Sequence, residues 1–102
     1  MLEISRMLTL STSHITQKTA EELDQRPAHF DSFWSAWDHL AIYDKGSYGW
    51  WILVSELEYA ELNQLPDDLA ACCRFAKQND CEWLCLDCDG EVVDCLPTYE
   101  WE

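Results

Sequence analysis

After Lys77 the sequence contains no lysine or arginine, although Asp80, Glu82, Asp87, Asp89, Glu91, Asp94, Glu100 and Glu102 all follow it. Glycine and proline are also scarce, with three of each, which argues against a disordered or low-complexity chain. No apolar run approaches the roughly 18 residues of a membrane-spanning helix. The opening MLEISRMLTLSTSH lacks the basic start and apolar block of an export signal. These absences predict a cytoplasmic protein with no membrane partner. A phosphate-cradling glycine loop and a basic aromatic groove are missing as well, so direct binding of nucleic acid is not expected. His14, His29 and His39 are scattered, without the Ser or Cys pattern that marks a nucleophile and its base. Neither an enzyme nor a cofactor is expected.

What is present is apolar area and negative charge. The chain has 102 residues, 48% of them hydrophobic, with six Trp, four Tyr and three Phe. That is enough for one core and one domain over residues 1–102. Twenty acids against six bases give a formal charge of −14 and a pI near 4.2. Such a field repels nucleic acid and anionic lipid and speeds encounter with basic protein surfaces.

Hydrophobic spacing predicts an α+β fold. MLTLSTSHI (7–15) alternates as a strand, with Met7 and Thr9 on one side and Leu8 and Leu10 on the other. Thr16 suits the cap of a helix over 17–26, which Pro27 ends. In the stretch 28–40, Phe30, Phe33, Trp34, Trp37 and Leu40 recur at the spacing of an extra short aromatic helix. DKGSYG joins two β-rich runs into a hairpin, because Gly46 and Gly49 can take left-handed angles. Pro66, Asp67 and Asp68 start a helix with Leu69, Cys72, Cys73 and Ala76 on its apolar stripe. EWLCLDC is the fourth strand, and an extended piece is expected around PTYEW. The order β-α-β-β-α-β is that of a ferredoxin-like split βαβ domain, an antiparallel sheet of about four strands with helices on one face.

CEWLCLDCDGEVVDC (81–95) invites four readings. Cys81, Cys85, Cys88 and Cys95 have imperfect zinc spacing, since a strand separates the side-chain directions of the first three. Structural disulfides are rare in a reducing cytosol. Aligning Gly90 with the glycine of a calcium loop puts Cys85 at its first position and Leu96 at its last, so calcium fails on register. The favoured reading is a hairpin in which Asp89-Gly90 reverses WLCLDC into EVVDCL, with carboxylates on a wet edge and no metal.

Two surfaces then qualify as partner sites. The anionic one centres on Asp87, Asp89, Glu91 and Asp94, joined by Glu56 and Glu58 after strand three. The aromatic one follows from Trp50 and Trp51, which face opposite sides of a strand, so that one of them can be exposed and joined by Trp83 and Trp101. Trp50 and Trp101 are the residues assigned to it.

The segments SRMLTLSTSHIT, YDKGSYGWWILV, CEWLCLD and LPTYEW resemble a family of small uncharacterised proteins, a domain of unknown function, encoded on plasmids, prophages and genomic islands of Gram-negative bacteria. Cys85 and Cys95 fall outside its shared pattern. The resemblance implies a genomic neighbourhood that includes antirestriction genes. Joined to the charge, it leads to the expectation of an anti-defence protein, anti-CRISPR or antirestriction, that blocks the nucleic-acid groove of a basic host effector by charge mimicry. The alternative is a regulatory or assembly protein, homodimeric, that binds through the aromatic sheet face. A thiol-based zinc or redox protein ranks third.

Overall fold

The computed structural model describes residues 4–25, 41–55 and 57–101. Four strands, β1 (Met7–Ser11), β2 (Ala41–Asp44), β3 (Gly49–Leu53) and β4 (Trp83–Asp87), form one sheet in the order β1-β4-β3-β2. Among the described residues three α-helices accompany it: α1 (Gln17–Gln25), α2 (Tyr59–Leu62) and α3 (Asp67–Gln78). The α+β class and the four strands agree with the sequence reading, but the sheet is mixed. β4 runs antiparallel to β3 and parallel to β1, so the all-antiparallel ferredoxin-like arrangement is corrected. Alternation along a strand sets which face a side chain takes, not which neighbour the strand pairs with, and the sequence carries no signal for the latter.

The pleat sorts the sheet into two faces. Leu10, Trp50, Ile52, Leu84 and Leu86 point to one and join Leu23, Leu69, Cys72, Cys73 and Ala76 from the helices in a single buried cluster. At roughly 25 cal/mol per Å² of apolar area, burial of these side chains is the main stabilising term. Met7, Tyr43, Trp51 and Trp83 fall on the other face, which the described helices leave open.

Local chemistry explains the ends. Thr16 Oγ1 accepts from the Thr19 amide at 3.2 Å, the N-cap bond expected of it. The buried carboxylate of Asp68 fastens α1 to the start of α3, accepting from the Thr16 amide at 2.7 Å and the Thr19 hydroxyl at 3.0 Å. The β2–β3 hairpin forms with Asp44 opposite Trp50, and Gly46 and Gly49 take φ of +66° and +150°. A Cβ on Gly49 would collide with the Leu86 carbonyl, so glycine is required for β3 to approach β4. Helix α2, closed by a Glu58–Glu61 capping box, lacks a readable apolar period because it is one turn long. The aromatic helix expected over 28–40 lies outside the described residues, as does Glu56.

The Asp89-Gly90 turn does not make the expected hairpin. Beyond it the backbone crosses to the far side of β1, where Glu91 bridges Leu10 in parallel and its carbonyl accepts from the Ser11 amide at 2.8 Å. Gly90 is needed because a Cβ there would meet the Leu10 carbonyl. The rest of the chain follows the 3-10 turn at 12–14 as a strap without regular structure, turning at 94–96, and the piece around PTYEW pairs with no strand.

Candidate functional site

The strap is held by a histidine. His14 is 1% exposed, and both ring nitrogens are used: Nε2 accepts from the Val93 amide at 3.0 Å, and Nδ1 lies 2.8 Å from the Pro97 carbonyl oxygen. An amide can only donate and a carbonyl can only accept, so the ring must be the neutral Nδ1–H tautomer. The Tyr99 amide donates to Ser13 O at 2.8 Å and the Trp101 indole N–H to Ile15 O at 2.9 Å. A segment without regular structure is thereby fixed at five points, counting the Glu91 bond. The spacing of His14 from its partners gave no hint of this clasp. Its only signal was a histidine between a β-like run and a helix cap.

Asp89, Glu91 and Asp94 are exposed on this strap and its entry, and none makes an ion pair with a described lysine or arginine. Asp87 differs. It ends β4 on the open face, where its carboxylate meets Lys45 Nζ at 2.6 Å. That ammonium holds the Asp87 carboxyl below the usual carboxylate range, with help from the Asp89 amide, while the carboxylate raises Lys45. Glu58 is exposed but serves the capping box of α2, which packs on α3, so it does not extend the strap's row of acids.

The open face carries the second surface. Tyr43 and Trp83 meet with ring centroids 5.9 Å apart at 50°, and Lys45 Nζ stands 5.0 Å from the centroid of Trp51. With Ser5 and Met7 these aromatics line a shallow depression of about 520 Å³. The assignment of Trp50 to the exposed surface is therefore corrected. It is 6% exposed under the helices, its indole N–H donating to Asp24 Oδ1 at 3.1 Å, and Trp51 is the outward member of the pair. Trp101 is 40% exposed, but it stands beside Trp50 and α1 and does not join Trp83, because the strap passes on the helix side.

All six cysteines are free. Cys72 and Cys73 are core residues, and burial pushes the Cys72 thiol up to about 12 and Cys73 higher still. Cys85 lies under Lys45, whose Nζ is 3.6 Å from its Sγ, and Cys81 donates to Asn79 O. Among the described residues the four thiols of 81–95 do not gather. The group with ligand atoms close enough for an ion is Asp87, Cys88 and Asp89, within 4.8 Å of one another, and one of its carboxylates is already held by Lys45. Among the described residues no helix is long and apolar enough to cross a membrane.

The class these features define is a small α+β domain with a mixed sheet, one face clad in helices and an acidic strap fastened along its edge. Within that class the chain belongs to the family of unknown function DUF5983, whose C-terminal domain matches residues 7–101. Searches of curated proteins and of solved structures returned no match.

Proposed function

We propose that this domain is a non-enzymatic interaction protein of mobile genetic elements in Gram-negative bacteria, acting in the host cytoplasm against a defence system. On this reading its partner is a basic nucleic-acid-binding effector, of restriction or CRISPR type, whose groove it fills by charge mimicry. The observation that carries the reading is the strap: exposed carboxylates at Asp89, Glu91 and Asp94, without a described lysine or arginine partner, on a backbone that His14 helps to hold in place. Duplex DNA offers a charge about every 1.7 Å of its axis, and a lysine- or arginine-lined groove selects for that density. A backbone fixed beforehand loses little freedom on binding, and a net charge of −14 raises the association rate. The test is capture from a Gram-negative lysate in low salt. A nucleic-acid-binding protein that duplex DNA displaces is the expected result. Recovery of no such protein would remove the proposal.

A second reading, a regulatory or assembly protein that forms a homodimer, is favoured by the depression around Tyr43, Trp51 and Trp83. An apolar contact of this kind survives about 0.5 M salt, where screening reaches within a few ångströms and charge mimicry fades.

A further inference from the structure

On the helix side of the sheet, between α1 and the end of the strap, lies a hollow of about 260 Å³. It is smaller than the roughly 300–1,000 Å³ of sites that take cofactors or drug-sized ligands. Beside the small or uncharged Thr12, Gln17, Ala20 and Cys88, its walls carry two kinds of larger feature. Tyr48, Trp50 and Trp101 supply aromatic surface, and Glu21 and Asp24 supply carboxylates. Both indole N–H groups are already spent, on Asp24 Oδ1 and on Ile15 O, so the indoles offer the hollow apolar ring surface and no donor. Tyr48 is 57% exposed, and Glu21 and Asp24 are exposed. Among the described residues no lysine or arginine lines the space.

An occupant must match aromatic walls, acceptor-only acids and the narrow width together. An anion is repelled, and a neutral apolar side chain leaves the carboxylates unanswered. A guanidinium satisfies both, stacking on an aromatic face while its N–H fork meets carboxylate oxygens. The molecule already shows the same combination in miniature on its open face, where Lys45 sits over Trp51 and against Asp87.

We infer that the hollow bounded by Glu21, Asp24, Tyr48, Trp50 and Trp101 is an anchor pocket for a single arginine side chain of the partner. This rests on the proposal that the partner is basic, and it adds a specific point of contact beside the strap. The strap supplies long-range attraction through exposed charges, and the pocket supplies short-range geometry.

The probe is the blocked peptide Ac-Gly-Arg-Gly-NH2, compared with Ac-Gly-Gln-Gly-NH2, and followed by the indole and tyrosine NMR signals of the full chain. Saturable shifts at Trp50, Trp101 and Tyr48 are expected, with the arginine peptide favoured about tenfold, the scale of one cation–π contact joined to an ion pair. The double variant Glu21→Gln/Asp24→Asn keeps an acceptor for the Trp50 indole and should lose that preference. Tyr48→Ser, at an exposed position, serves as a second variant and should weaken binding. Equal shifts with both peptides, or shifts confined to Trp51 and Trp83, overturn the pocket. Lysate capture separates this outcome from failure of the proposed function: a captured basic effector with an unresponsive pocket sinks only the pocket, and a responsive pocket with no captured effector sinks only the anti-defence reading.

Discussion

On the open face Met7, Tyr43, Trp51 and Trp83 stand where the pleat of the sheet puts them, whereas on the strap Asp89, Glu91 and Asp94 stand where a few scattered bonds, those of Asp87, Ser11 and His14, put the backbone. The first surface is held by ladder hydrogen bonds on several strands and changes little if one side chain is lost. The second depends on five isolated bonds, two of them made by one buried ring that supplies both a donor and an acceptor. The two surfaces also differ in reach. Apolar contact acts only after docking, and exposed charge acts over about a Debye length, roughly 10 Å at 0.1 M salt.

The largest expected effect separates the surfaces by charge. The triple variant Asp89→Lys/Glu91→Lys/Asp94→Lys should bind the captured effector about 100-fold more weakly in low salt, by replacing several modest attractions with repulsions. Tyr43→Ser, on the open face, should leave that affinity within about twofold. Titration calorimetry of both variants checks this, and the reverse ranking would give the aromatic face the leading role.

A smaller effect falls on the clasp. His14→Ala strands the Val93 amide and the Pro97 carbonyl, which should cost about 2 kcal/mol in urea unfolding. Hydrogen exchange should quicken at Val93 and Tyr99 and stay slow in β3 and β4. Uniform loss of protection across the sheet would mean that strap and sheet are one cooperative unit.

The smallest effect concerns Lys45 and Asp87, which tie β2 to the end of β4. The Asp87 carboxyl is depressed from its ordinary 3.8, so its contribution is present above that pH and lost as pH falls through the lower folded value. Lys45 is raised from 10.5, so its contribution is present below that pH and lost as pH rises beyond it. The Trp51 indole signal should therefore stay constant between those limits and move outside them. Movement near neutral pH would contradict the pairing.

The sequence was legible where backbone regularity dictates side-chain direction. Alternation placed Leu8 and Leu10 opposite Met7 and Thr9, the glycines placed the β2–β3 hairpin, and the stripe Leu69, Cys72, Cys73 and Ala76 was found buried. Opposite facing of Trp50 and Trp51 was legible too, but not which one the helices cover, since that depends on the side from which α1 and α3 pack. The parallel pairing of β1 with β4 and the path of the strap were not legible. Both rest on contacts distant in sequence: Met7 to Ser11 against Trp83 to Asp87 for the pairing, and His14 with Val93 and Pro97 and Gly90 against Leu10 for the strap. Asp-Gly reads as a hairpin turn by local chemistry alone, and here the same glycine serves a close backbone approach. Glu21 and Asp24 escaped notice because α1 carries acids that read as an ordinary solvated face.

The central claim, that carboxylates of the strap meet a basic groove, is tested most directly by the salt dependence of the complex. The dissociation constant of the wild-type protein with its captured effector is to be measured from 0.05 to 0.5 M salt, with and without duplex DNA. Charge mimicry predicts a steep, log-linear loss of affinity with salt and direct competition by DNA. An affinity that holds unchanged at 0.5 M salt, in a complex that DNA does not disturb, would contradict it.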